Sequence, residues 1–177
     1  MCEACSSGLL PAPVASPPLG VDAWFAPFSY EGVVREVVAR VKYRRVHGAV
    51  GWLADAMAGV LAPPVPSVVT WVPTTAVRRR ERGFDHAELL ARQVGRRVGR
   101  PVRRLLVRLP GAAQTDLRGA ARRHGPVIEG VRAAPAQVLL VDDVATTGAS
   151  LAAAAAALRA HGADRVVALS AARTPPP

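Results

Sequence analysis

The chain has 177 residues, half of them hydrophobic, and its 23 lysines and arginines against 13 aspartates and glutamates give a net charge of +10. This length suits one α/β domain with a small appendage, and the positive charge favours phosphate or nucleic-acid partners. A disulfide-stapled scaffold is excluded because the two cysteines both lie at the extreme N-terminus, and no apolar run approaches the roughly 20 residues needed to cross a bilayer. A genome bias toward Arg, Ala, Pro and Val would produce the same charge, so charge alone identifies no substrate.

The first residues differ from the rest of the chain. Residues 1–20 are rich in proline, serine and alanine and show no period, which predicts a tail or linker. They lack the basic and apolar regions of a signal peptide, so we expect a cytoplasmic protein with no membrane insertion. The domain boundary is placed after residue 24, with an ordered domain over residues 25–174.

Helical and extended patterns alternate through that domain. Apolar residues at helical spacing predict four helices, around residues 33–41, 49–61, 85–98 and 148–161. Short apolar segments predict four buried strands, at residues 68–72, 104–108, 137–141 and 165–170. This alternation predicts an α/β fold in which helices flank a parallel sheet.

Two polar segments interrupt the pattern. Residues 74–83 are expected to form a loop containing Arg78, Arg79, Arg80 and Arg82. Residues 109–132 are Gly-rich and lack a clear period, and a stretch of that length inside a compact domain is usually functional or mobile.

The segment from Val138 to Ser150 carries the functional prediction. A strand brings two carboxylates to its C-terminal end, where open α/β sheets bind ligands, and small and hydroxylated residues then lead into a helix. Free N–H groups at a helix start suit a phosphate, and the carboxylates suit sugar hydroxyls, directly or through a divalent cation. The predicted ribose 5-phosphate site comprises Asp142, Asp143, Val144, Ala145, Thr146, Thr147, Gly148, Ala149 and Ser150. The alternative is a strand-end turn followed by a threonine N-cap.

The whole string resembles the phosphoribosyl-pyrophosphate signature of type I phosphoribosyltransferases. The resemblance extends to the ComF family, GntX-like branch, through Phe28–Gly32, Val41–Tyr43, Val72–Pro73, Arg82–His86 and Gln114–Leu117 with Arg122. Asp85 and His86 stand where that family usually has Asn and Gln. The match covers roughly residues 25–173.

The resemblance implies a type I phosphoribosyltransferase-like fold with a flexible hood loop over the site. It implies that Arg82 and Gly83 face the pyrophosphate, that Gln114 and Arg122 belong to the hood, and that Asp142 and Asp143 act with Mg²⁺, directly or indirectly. The implied activity is transfer of phosphoribosyl to an unidentified nitrogenous acceptor. No clear general base is found, and His86 and His124 are candidates only by their position in the chain.

The family commonly carries an N-terminal zinc ribbon with four ligands. Cys2 and Cys5 resemble half of that ribbon, and two cysteines cannot complete a tetrahedral zinc site. Zn²⁺ is therefore expected only if the other half lies upstream, and the alternative is a pair without metal.

A binding protein is the second functional hypothesis. In it, a competence or DNA-uptake protein uses the same site to sense nucleotides or to hold single-stranded DNA. The basic charge favours it, whereas the low aromatic content of 5% argues against base stacking. The sequence leaves homo-oligomerisation open.

Overall fold

The computed structural model describes residues 8–44, 47–110 and 126–175. The strands are β1 (Ala23–Phe25), β2 (Phe28–Ser29), β3 (Val68–Trp71), β4 (Leu106–Arg108), β5 (Ile128–Gly130), β6 (Gln137–Ala145) and β7 (Arg165–Arg173). The helices are α1 (Gly32–Arg44), α2 (His47–Gly59), α3 (Ala76–Arg82), α4 (His86–Val98) and α5 (Ala149–Ala160). All four predicted helices and all four predicted strands are present with small shifts at their ends.

The central sheet is parallel, as predicted. Its strand order is β1-β7-β6-β3, and β2 also pairs with β7. In register, Val141 of β6 lies between Trp71 of β3 and Leu169 of β7. The C-terminal ends of these three strands therefore meet at one edge of the sheet.

Both faces of the sheet are covered, which explains the continuous apolar run of β6. Leu139 and Val141 join the core formed with α1, α2 and α4. Val138 and Leu140 join the core formed with α5, β4 and β5 on the opposite face. The alanine-rich helix α5 can lie close to the sheet because its buried side chains are small.

The segment 74–83 corrects one prediction. It contains helix α3, whereas the sequence predicted a loop. Thr75 caps the helix by accepting a hydrogen bond from the Arg78 N–H at 3.2 Å, and Gly83 ends it with φ at +80°. The helix has no apolar face, so periodicity could not reveal it.

Three strands were also not predicted. β5 pairs antiparallel with β4, within a region expected to lack a period. β1 and β2 pair parallel with β7, and the predicted boundary after residue 24 falls inside β1. Residues 111–125, which include Gln114, Arg122 and His124, lie outside the described part of the chain.

Residues 8–20, here called the N-terminal strap, lie against the domain. The Ser29 N–H donates to the Leu10 carbonyl at 2.9 Å, and the Ala12 N–H donates to the Pro27 carbonyl at 3.2 Å. Pro18 lies beside Gly148, close enough that a Cβ built on Gly148 would come within 2.7 Å of the Pro18 Cγ.

Strand β3 has main-chain partners on both sides. Beyond its pairing with β6, the Val69 N–H donates to the Pro101 carbonyl at 2.9 Å, and the Val69 carbonyl accepts from the Arg103 N–H at 2.9 Å.

In the described ranges, no helix is long and apolar enough to cross a membrane.

Candidate functional site

The acidic pair lies in the last part of β6. The strand continues to Ala145, beyond the predicted end at residue 141, because β7 also continues and pairs with it as far as Arg173. Asp142 is 8% exposed, and Asp143 is partly exposed. The Asp143 N–H donates to the Asp142 Oδ1 at 2.8 Å, and the Val144 N–H donates to the Asp143 Oδ1 at 2.7 Å. These contacts orient both carboxylates against the backbone.

The turn after β6 presents main-chain donors. Gly148 is the N-cap of α5 and has φ at +74°. Its carbonyl accepts the first hydrogen bond of the helix, from the Ala152 N–H at 2.9 Å. Within the described residues, the N–H groups of Thr146, Gly148 and Ser150 donate to no other group. A phosphate could accept hydrogen bonds from such groups at a helix start.

The threonine N-cap expected in the alternative hypothesis is weak. Helix α5 has no side-chain cap at Gly148. The Thr147 Oγ1 accepts from the Ala149 N–H at 3.4 Å, which is long for a hydrogen bond. Thr146 and Thr147 are both exposed, so their hydroxyls can reach a ligand.

An open depression of about 50 Å³ lies at this turn. That volume exceeds the roughly 10–15 Å³ needed for one water molecule, so it can hold a small anion. It is lined by Asp142, Val144, Ala145, Thr146, Thr147, Gly148, Ala149, Ser150 and Leu151. Eight of the nine residues predicted from the sequence therefore share one concave surface, and Asp143 flanks it.

Arg108 is a candidate that the sequence analysis did not single out. Burial and the nearby charge of Arg78 lower the pKa of Arg108, whereas the carboxylate of Asp142 raises it. These influences place Arg108 within electrostatic range of both residues. The available signal was an arginine at the C-terminal end of the predicted strand 104–108.

The predicted pyrophosphate residues lie at the end of α3. Gly83 is the C-cap, and its N–H donates to the Arg79 carbonyl at 2.8 Å. The backbone of Arg82 belongs to α3, and its side chain lies outside the described atoms. Arg78, Arg79 and Arg80 are exposed on this short helix.

Asp85 joins the end of β3 to the start of α4. Its Oδ2 accepts from the Thr74 N–H at 2.9 Å, and its Oδ1 accepts from the Ala87 N–H at 3.1 Å. Burial raises the pKa of Asp85 against the opposing effect of these hydrogen bonds. His86 is 3% exposed, and its ring meets Phe84 edge-on at 4.8 Å. Both residues are therefore built into the protein interior.

Asp142 and Asp143 could supply Mg²⁺ with part of its ligands. In the described part of the chain there is no group of three or more His, Cys, Asp or Glu side chains able to hold a metal. Mg²⁺ commonly takes one or two carboxylates and completes its coordination with substrate oxygens and water, which the pair Asp142 and Asp143 can match. Cys2 and Cys5 lie outside the described residues.

The chain resembles a known protein in sequence. No protein-family model matches the chain. The chain is 27% identical over 130 residues to the competence protein ComFC of Bacillus subtilis, covering 70% of this chain and 52% of that protein. The chain thus spans about half the length of this curated relative.

Two solved structures share the architecture. One, described as the allosteric regulatory enzyme of purine biosynthesis, has a TM-score of 0.50 at 22% identity. The other, glutamine phosphoribosylpyrophosphate amidotransferase from B. subtilis with ADP and GMP, has a TM-score of 0.51 at 22% identity. Each match covers 71% of this chain and 26% of that chain. The protein is therefore ComF-like in sequence and has a phosphoribosyltransferase-type fold, as predicted.

Proposed function

We propose that this protein binds phosphoribosyl pyrophosphate through the turn from Asp142 to Ser150 and transfers its phosphoribosyl group to a nitrogenous acceptor. The observation that carries the proposal is the depression at the C-terminal end of β6, where carboxylates and unused main-chain N–H groups meet. The N–H and hydroxyl groups of residues 146–150 would hold the 5-phosphate. Asp142 and Asp143 would hold the ribose hydroxyls.

The charges around the depression suit the departing group. Arg108 lies within electrostatic range of Asp142, and its guanidinium could neutralise a diphosphate beside the acids. In the transfer, the bond from the anomeric carbon to pyrophosphate breaks and a bond to the acceptor nitrogen forms. The nitrogen releases its proton to solvent or to a base of the acceptor complex. Mg²⁺, when bound with the substrate, would neutralise pyrophosphate charge.

The carboxylates have a second role in this proposal. Positive charge develops at the anomeric carbon as the pyrophosphate leaves, and two fixed negative groups next to the ribose stabilise it. Because Asp142 is 8% exposed, its charge is screened less by water than that of an exposed acid.

The test measures binding and turnover separately. Ligand at 100 times its Kd stabilises a protein by about 2.7 kcal/mol, which raises the Tm of a domain of this size by roughly 5–11 °C. We expect phosphoribosyl pyrophosphate with Mg²⁺ to produce such a shift in the full chain. Asp142→Asn and Asp143→Ala should abolish it, whereas Asp164→Ala, an exposed acid distant in register from the site, should preserve it.

Absence of a shift at millimolar ligand, together with no heat in calorimetry, would refute the binding proposal. Pyrophosphate released with a member of a panel of nucleobases and amines, and not without it, would establish transfer. Binding without release across the panel would keep the binding proposal and reject transfer to those acceptors.

A nucleic-acid-binding function is the second candidate, and helix α3 is the observation that favours it. Arg78, Arg79 and Arg80 are exposed on adjacent positions, and Arg79 meets only Glu88, at 3.9 Å, among the described carboxylates. Basic residues that neutralise phosphates give an affinity that falls steeply with salt. Salt-dependent binding of single-stranded oligonucleotides, reduced by Arg78→Gln and Arg80→Gln but not by Asp142→Asn, would support it. Equal affinity in all three variants would reject α3 as the interface.

A further inference from the structure

Arg173 is a buried cation that lacks an anionic partner in the described part of the chain. It ends β7 and is 6% exposed. No described carboxylate lies within ion-pair distance, and its buried Nε has no hydrogen-bond partner among the described residues. Its NH1 group donates to the Ala15 carbonyl at 3.5 Å, the outer limit for a hydrogen bond.

The guanidinium is nevertheless held in place. Its central carbon lies 4.0 Å from the centre of the Trp24 ring, an arrangement that stabilises a cation over an aromatic face. The Trp24 Nε1 donates to the Ser170 Oγ at 3.2 Å, which fixes the ring against β7. Burial lowers the pKa of Arg173, although an arginine in a protein keeps its charge at neutral pH.

Arg173 adjoins the phosphate turn. It is the register partner of Ala145, and the next residue, Thr174, donates from its Oγ1 to the Thr146 carbonyl at 3.2 Å. The N-terminal strap covers both places, because Ala15 meets Arg173 and Pro18, three residues later, meets Gly148. The backbone of Arg173 therefore neighbours the turn, and its guanidinium lies between the Trp24 ring and the strap, outside the residues that line the depression.

We infer that Arg173 binds the 5-phosphate of the ligand held at residues 146–150, replacing the distant Ala15 carbonyl with an anion. This inference rests on the proposed function and names a further binding residue for it. The turn supplies neutral N–H and hydroxyl donors, whereas a phosphate monoester carries about −1.5 to −2 charge at neutral pH. A buried cation with a weak neutral acceptor gains most from an anionic partner.

The ligand class follows from this charge. The site should favour ribose compounds with a phosphate monoester at the 5 position, either as a free sugar phosphate or as part of a nucleotide. A neutral sugar would leave Arg173 unpaired. Ribose 5-phosphate and adenosine 5′-monophosphate are the two probes that distinguish these sources, with inorganic phosphate as the minimal anion.

The experiment compares affinities in the full chain by calorimetry. Loss of a charge-assisted contact should raise the Kd for ribose 5-phosphate by about 10- to 100-fold in Arg173→Gln. Arg173→Lys keeps the charge but loses the planar fork, so its Kd should lie between those of the wild type and the Gln variant. Arg165→Gln, at the opposite end of β7, is the matched control and should bind like the wild type.

A role limited to anchoring the strap would lower the Tm of both Arg173 variants and leave the Kd within twofold of the wild type. That result overturns the inference while the proposed function stands. A wild-type protein that binds phosphoribosyl pyrophosphate but none of ribose 5-phosphate, adenosine 5′-monophosphate and inorganic phosphate also overturns the inference alone. A wild-type protein that binds none of the four ligands overturns both. Should Arg173→Gln fail to fold, the Kd of Arg173→Lys decides the question.

Discussion

Gly148→Ala perturbs the phosphate turn at its tightest point. The residue has φ at +74°, in the left-handed region, where an added Cβ costs about 1–2 kcal/mol. The same Cβ would lie 2.7 Å from the Pro18 Cγ and 3.2 Å from the Pro18 Cβ, so the strap must also move. Overpacking of this kind costs about 1–3 kcal/mol.

We therefore expect a loss of about 2–5 kcal/mol and a fall in Tm of roughly 4–20 °C. Gly99→Ala is the matched control, because Gly99 has φ at +64° and a Cβ there would meet nothing within 4 Å. It should lose only the left-handed strain of about 1–2 kcal/mol. Urea unfolding of both variants measures the difference.

Pro18→Ala in the Gly148→Ala background removes the 2.7 Å contact and should recover part of the loss. Gly148→Ala could instead match Gly99→Ala in stability and bind phosphoribosyl pyrophosphate as the wild type does. In that case the Pro18 contact does not limit stability, and the ligand does not need the close backbone approach at Gly148.

Three further predictions concern the supports of the site. Burial raises the pKa of Asp85, so the folded protein holds the carboxyl proton more tightly than the unfolded chain does. The stability advantage of the wild type over Asp85→Ala should therefore be full at low pH and decline as the pH rises through the raised pKa. Urea titrations from about pH 3 to about pH 7 measure it, and an advantage that grows with pH contradicts the reasoning. Gly95→Ala should lose about 1–3 kcal/mol of unfolding free energy because the new Cβ collides with Val102. Gly48→Ala, whose Cβ would meet nothing within 4 Å, should gain up to about 1 kcal/mol. Equal melting temperatures of the two variants would contradict this prediction. Arg108→Gln should raise the Kd for phosphoribosyl pyrophosphate about tenfold and change that for ribose 5-phosphate less, and an equal loss for both ligands would remove Arg108 from the pyrophosphate side.

Locally encoded features could be read from the sequence. Strand β6 is a long apolar run that both faces of the sheet bury, and the site residues follow it directly along the chain. Helix α4 has an amphipathic pattern, an aspartate cap at Asp85 and a glycine stop at Gly99. Each signal lies within a few residues of the structure that it specifies.

Features that depend on contacts between distant parts of the chain could not be predicted from the sequence. Strands β1 and β2 have three and two residues and exist through pairing with β7, more than 140 residues later. The placement of Arg173 beside the turn depends on the register of β7 with β6. No spacing rule links Trp24 to Arg173, so their contact emerges only from the folded sheet.

The main-chain partners of Val69 and Ser29 have a consequence for self-association. An exposed strand edge invites a strand from another molecule, and proteins that cover such edges resist that kind of aggregation. Residues 101–103 already use the outer hydrogen-bonding groups of Val69, and Leu10 of the strap already uses the N–H of Ser29. A second copy would have to displace native chain to extend the sheet at either place.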